Sequence, residues 1–319
     1  MFGGESPVDL EGVWRVLTDV GSDQVAGRWS GRGRKRAVFS LMCVAALGVG
    51  VACTDGDTEP NQVENSADRQ SLGRGDVPSE VREDLEHVFT DAGVVGGFVL
   101  YEVSSRSATV VGPEQVRERA EPEATFMLAH TLIALQTDVV DDVDEIIAPK
   151  GDDADRGADM SLREALSSSS DPVYQELARR VGPEALATWV DRFEYGNRAV
   201  GGPDEVDSFW SKGPLQVSAM EQAEFLARLA GAELPVDTEH QLAVQEMALY
   251  EQGENHSLYA QDGWAREGEP EAGWWVGWVN GEQGLHTFAL HLEIEEEPQA
   301  ELRETLGREL LTELEVLPD

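Results

Sequence analysis

Cysteine is almost missing from this chain. Cys43 and Cys53 are the only two in 319 residues, so everything beyond position 53 folds without a disulfide or a thiolate metal site. Histidine is sparse as well. None of the six (His87, His130, His240, His256, His286, His291) pairs with another at the i,i+4 spacing that grips a metal on a helix. His286 and His291 stand five apart on an expected strand, which turns them to opposite faces. No metal and no cofactor is expected. Positive charge is short: 24 Lys and Arg face 62 Asp and Glu, for a net −38. Past residue 53 the balance is 18 basic to 57 acidic, a surface that repels nucleic acid and anionic headgroups. It reads as a solubility device rather than a seat for a cationic partner. Apolar residues are not scarce; at 41% they supply a sizeable core and exclude global disorder.

The N-terminus reads as an address. Arg32-Gly33-Arg34-Lys35-Arg36 precedes an uncharged run over 37–52, and small residues lead into Cys53. Basic, then apolar, then small is the order of a signal peptide, and 16 residues are few for a membrane span. Cys53 behind Ala52 resembles a bacterial lipoprotein cleavage site, which implies a lipidated Cys53 and an exported, membrane-anchored protein. Gly50 departs from the aliphatic residue usual there, which leaves ordinary cleavage and an uncleaved anchor as alternatives. Residues 1–30 lie upstream of such a signal, so translation is expected to begin near Val25. The polar stretch from Thr54 lacks periodicity and reads as a solvated tether. The expected layout is an extension and signal over 1–53, an acidic tether over 54–80, and one domain over 81–319.

Within the domain, spacing predicts a helix over 81–89, a strand over 94–103 and its hairpin partner over 108–111. A buried helix is expected to start near Ala124, after Pro122, with Phe126, Ala129, Ile133 and Ala134 on one period. Acidic loops follow over 138–145 and 151–159. Ser161 and Glu164 form a capping-box pattern. Further helices are predicted over 172–181, 183–193, 218–230 and 238–250, strands over 257–259, 273–279 and 286–294, and a last helix over 299–314. The fold class is α/β: a mixed, mostly antiparallel sheet flanked by helices, with an inserted helical lobe.

Several segments carry a resemblance in a fixed order. They are Ala124-Thr125-Phe126-Met127, Ser169-Ser170-Asp171, Tyr195-Gly196-Asn197, Phe209-Trp210-Ser211-Lys212-Gly213-Pro214-Leu215, Gln261-Asp262-Gly263-Trp264, and Trp274-Trp275-Val276-Gly277-Trp278-Val279. From Val94 to the C-terminus the chain resembles the class D serine β-lactamases, the oxacillinases, and related β-lactam sensor domains. Their corresponding motifs are S-T-F-K, S-x-V, Y-G-N, F-W-x-x-G-P-L and K-T-G-W. The resemblance implies a β-lactamase/penicillin-binding-protein-like fold, and a serine that attacks the lactam carbonyl with a lysine one turn later as base. Here those positions hold Ala124 and Met127. Alanine has no nucleophilic atom, and a thioether is no base near neutral pH. Asp171 stands at the valine position of S-x-V, and Gln261-Asp262 replace Lys-Thr, with Asp262 repelling a ligand carboxylate.

Other parts match. Ser169, Tyr195, Asn197, Trp210, Gly263, Trp264 and Arg303 are the ligand-binding candidates that the resemblance implies, and backbone N–H groups of Ala124 and Trp264 would form an oxyanion hole. Plainer roles compete: Ser169 as part of an N-cap region, Tyr195-Gly196-Asn197 as a tight turn, Trp210 and Met127 as core packing. Thr125 is no substitute nucleophile, because it points about 100° away from Ala124 around the helix. The expectation is an inactive class D β-lactamase-like protein that binds a β-lactam, a peptidoglycan peptide or a partner protein. The alternatives are a weak hydrolase using Ser169 or water, and a structural envelope lipoprotein with a vestigial cleft. Oligomeric state is left open.

Overall fold

The computed structural model describes residues 77–150, 157–266 and 270–318. Cys53, the signal segment, most of the tether and part of the 151–159 loop lie outside the described residues. The chain opens with β1 (Ser79–Val81), α1 (His87–Asp91), β2 (Val95–Glu102) and β3 (Ser107–Val111). The expected helix over 81–89 is therefore split. Val81 pairs with Val110 of β3, and Arg82 N donates to Val110 O, so the strand edge takes the backbone groups that a first helical turn would use.

β4 (Arg119–Ala120) leads to a 3₁₀ turn over Glu123–Phe126, and α2 (Met127–Gln136) follows directly. The lobe comprises β5 (Ile146–Ile147), β6 (Met160–Ser161), α3 (Leu162–Ser167), α4 (Asp171–Val181) and α5 (Pro183–Phe193). β7 (Val217–Ser218) and α6 (Ala219–Ala230) bring the chain back to the sheet, and α7 (Thr238–Met247) crosses beside α2. Both capping boxes, Ser161 with Glu164 and Ser218 with Glu221, are closed by side chain and backbone. The chain ends in β8 (Leu249–Gln252), β9 (His256–Trp264), β10 (Glu271–Gly281), β11 (Gly284–Ile294) and α8 (Leu302–Glu313).

Strand pairing moves two further boundaries from where the sequence reading puts them. The helix expected over 238–250 stops at Met247, because Leu249–Gln252 adds to the edge of β9. β9 continues far past 259, since polar Gln261 and Asp262 interrupt the apolar pattern while their backbones stay paired to β10. They are strand residues of the cleft wall.

The seven-stranded sheet runs β1-β3-β2-β11-β10-β9-β8, antiparallel throughout except for β1 against β3. Side chains alternate between two cores. Phe98, Leu100, Phe288, Leu290 and Trp275 face α1 and α8, while Val99, Ala289, Trp274 and Val276 face α6 and the helical lobe. α2 sits inside the second core with every residue from Met127 to Leu135 buried. A helix surrounded on all sides is the reason its apolar residues spread beyond one stripe.

Candidate functional site

The site is built on the turn that precedes α2. Pro122 starts it, Glu123 takes a left-handed φ of 51°, and Ala124 lies in the 3₁₀ turn, three residues ahead of the α-helical run expected to include it. Neighbouring strands and loops hold this turn by its backbone. Glu123 N donates to Trp210 O at 3.0 Å, and Trp274 Nε1 donates to Glu121 O at 2.8 Å. Gly263 of β9 packs so closely that a Cβ there would lie 3.1 Å from Pro122 O and 3.2 Å from Thr125 Cγ2. Met127, one turn on, is 1% exposed in the core.

Thr125 is tied into a buried relay. Its hydroxyl donates to Pro122 O at 2.5 Å and accepts from Gln222 Nε2 at 2.6 Å, while Tyr195 OH donates to Gln222 Oε1 at 3.0 Å. The Thr125 hydroxyl proton is thus committed to a carbonyl, away from any reacting atom. Burial pushes the Tyr195 phenol well above its ordinary value, so it stays a neutral donor.

Two contacts on opposite faces of β9 join it to the lobe and to the end of the chain. Gln261 Nε2 donates to Ser169 Oγ at 3.1 Å. Ser169 has a left-handed φ of 49°, and the N-cap of α4 is its neighbour Ser170. Arg303 pairs with Asp262 at 3.3 Å, donates to Ala300 O at 2.6 Å and also donates to Gly263 O. Burial lowers the Arg303 guanidinium, with Asp262 pulling it back up. Asp171 begins α4, and desolvation raises its carboxyl, with Lys212 opposing the shift. Trp264 lies beside Arg303, with its indole N–H on Glu271 at 2.7 Å and the Arg266 guanidinium 4.3 Å above the ring. A hollow of about 580 Å³ adjoins this wall, lined by Gln261, Asp262, Arg303, Ser167, Tyr250 and Trp275.

The family model of the penicillin binding protein transpeptidase domain matches residues 96–311. Over 231 residues the chain is 31% identical to β-lactamase OXA-10 of Pseudomonas aeruginosa, covering 70% of this chain and 85% of that protein. It is also 31% identical to β-lactamase OXA-48 of Klebsiella pneumoniae over 233 residues, 72% and 87% of the two chains. The crystal structure of FUS-1 (OXA-85), a class D β-lactamase from Fusobacterium nucleatum subsp. polymorphum, matches with a TM-score of 0.69 and 30% identity. It covers 75% of this chain and 100% of that one. The chain belongs to the class D β-lactamase family.

On this class D β-lactamase fold, the residues singled out in the sequence fall into separate groups. Asp262, Trp264 and Arg303 meet on the α8 side of β9, while Ala124, Gly263, Gln261 and Ser169 lie toward the gap between the α2 turn and the other side of that strand. Tyr195, Asn197 and Trp210 support it from behind. Asn197 Nδ2 donates to Pro214 O at 2.7 Å, and its Oδ1 accepts from Gln216 N and Ala199 N, each at 3.1 Å. Gly196 has a φ of 50°, and a Cβ there would collide with Gln216 O. Trp210 is buried in an aromatic cluster with Phe126, His130 and Phe209.

Sequence reasoning missed Gln222 and His130. Gln222 carries no motif, and only its place one turn into α6 puts it beside Thr125. His130 lay in the expected buried run, and its neighbours Phe126, Tyr174 and Trp210 could be found only through tertiary contact. Away from the cleft, Asp237, Glu239 and His240 bring ligand atoms within 4.8 Å of one another. They stand at the start of α7, where the helix dipole opposes a cation.

Proposed function

We propose that this protein is a non-acylating member of the class D β-lactamase family, which binds a β-lactam or a peptidoglycan stem peptide without forming a covalent bond to it. One observation carries the reading: the turn that faces β9 presents Ala124, and the side chain one turn later is the buried thioether of Met127. Neither can attack a carbonyl or take a proton. Loss of a comparable pair in serine hydrolases costs about 10⁶ in turnover. The Gln261–Ser169 contact supports it further, since it spends a polar group of the cleft on another part of the protein.

The weak-hydrolase alternative would use Ser169. Its hydroxyl accepts from Gln261, a group that gives a proton and cannot remove one, so Ser169 lacks an activating base in that contact. Intact-protein mass spectrometry after incubation with benzylpenicillin separates the readings. No adduct is expected on the wild-type chain, and a variant combining Ala124→Ser, Met127→Lys, Gln261→Lys and Asp262→Thr should gain one. A wild-type adduct defeats the proposal, and its location on Ser169 would establish the alternative.

Localisation belongs to the same proposal: export, with lipid attached at Cys53. Among the described residues no helix is long and apolar enough to cross a membrane. Palmitate labelling of the expressed protein should disappear in Cys53→Ala; labelling that persists removes the anchor.

A further inference from the structure

A hollow of about 640 Å³ lies between the β4 segment that leads into the α2 turn, the far end of β9, the start of β10, and β11. That volume is within the range of small-molecule sites. His291 lines it from β11 at only 4% exposure, and neither of its ring nitrogens has a hydrogen-bond partner among the described residues. Burial takes the imidazole down to about 4, so at neutral pH it carries one donor and one acceptor nitrogen. Trp274 packs against the ring with centroids 4.5 Å apart, yet its indole N–H goes to Glu121 O and leaves the imidazole unserved. A buried polar group without a partner is costly, and it commonly marks a place where a water, an ion or a ligand binds.

Glu293 stands two residues further along β11, on the same face as His291, and lines the hollow together with Glu118. Neither carboxylate has an ion-pair partner among the described residues. Burial raises Glu293, and Glu118 and Glu295 raise it further, with no cation opposing them. The cations that line the hollow are engaged elsewhere. Arg119 Nε donates to Glu221 at 2.9 Å, and Lys212 acts on Asp171. Glu271 is held in turn by the indole N–H of Trp264 at 2.7 Å. Two mutually repelling carboxylates and an unserved imidazole are left facing one space.

We propose that this hollow binds a primary alkylammonium group. An ammonium offers three N–H donors and no acceptor, which matches two carboxylates and the acceptor nitrogen of a neutral imidazole. Its charge relieves the repulsion between Glu118 and Glu293. A metal ion fits less well, because among the described residues no three His, Asp or Glu ligand atoms here lie within 4.8 Å of one another. Glu121 joins the hollow to the α2 turn, so the ammonium has two sources: a free amine, or a side chain of the peptide proposed for the cleft.

Titration of the full chain with n-pentylamine at fixed ionic strength, followed by calorimetry and by imidazole NMR signals, tests this. The His291 signal, identified by its loss in His291→Phe, should shift saturably. Affinity should fall about tenfold in Glu293→Gln, a difference of about 1.4 kcal/mol, and should fall in His291→Phe as well. Glu293→Gln lies at the rim and leaves the core intact, so its result stands even if His291→Phe folds poorly. A control pair on the lobe, Glu184→Gln with Asp204→Asn, should change nothing. A lysyl-D-alanyl-D-alanine peptide that binds more tightly than its Nε-acetyl form would put the ammonium on a cleft ligand. Equal binding of the two peptides, with pentylamine still bound, would assign the hollow to a free amine. No saturable shift at His291, equally tight binding of tetramethylammonium or magnesium, or an equal loss in the lobe variant would each overturn the proposal.

Discussion

Met127 is the residue on which the proposed loss of chemistry and the stability of the fold meet. At 1% exposure it fills core space beside α2, so a lysine placed there would bury an ammonium among apolar side chains. Met127→Lys alone should destabilise the protein by about 3–5 kcal/mol at pH 7, as an uncompensated buried charge does. Urea unfolding at pH 7 and pH 9 checks this, and the deficit should shrink at pH 9 as the amine gives up its proton. A cost below about 1 kcal/mol would mean that the site still solvates a cation. Ala124 and Met127 were legible in the sequence because each occupies a fixed place in an ordered motif. The contacts of Asp262 with Arg303 and of Gln261 with Ser169 were not. Both join segments far apart in the chain, and neither spacing nor periodicity encodes which partner a polar side chain takes.

Among the elements, the 209–218 loop depends on one side chain. Asn197 satisfies one carbonyl and two amide groups of the flanking backbone, and Gly196 lets its turn approach the backbone of Gln216. Asn197→Ala should cost about 2–3 kcal/mol, since several backbone groups lose their partner at once. Limited proteolysis should then cut the 209–218 loop sooner than in the wild type, and unchanged cutting would show that water replaces the amide without penalty. Most elements could be located from sequence: the Pro183–Phe193 helix and the Ser161–Glu164 capping box agree with the spacing. The misses share a cause. β8 and the distal half of β9 carry no alternation strong enough to announce strands, and their identity comes from pairing along a sheet edge. Local spacing at 81–89 likewise lost to the parallel pairing of β1 with β3.

Over the whole molecule, two buried histidines set the response to acid. Burial drives His130 down to about 3 and His291 down to about 4. Both folded values lie below the ordinary 6.5, so the unfolded chain binds protons first. Stability is therefore fully present above about pH 6.5 and is lost as the pH falls, by about 1.4 kcal/mol per pH unit for each imidazole. Denaturant titrations between pH 7 and 5 should give the combined slope, and His130→Leu should halve it. A slope unchanged by that substitution would exclude His130 as a source. Acidic composition was visible from the sequence, but its clustering was not. The chain reads as uniformly solvated, whereas folding gathers four glutamates around one hollow at the end of α8.

The Asn197 clasp bears on how such proteins are sorted. Tyr195-Gly196-Asn197 is the most recognisable string in the chain, yet its atoms are spent on closing a loop and fixing Gln222. A search keyed to that string retrieves a shape, and the decision between a catalyst and a receptor of the same shape passes to Ala124, Met127 and Gln261, which no such search reads.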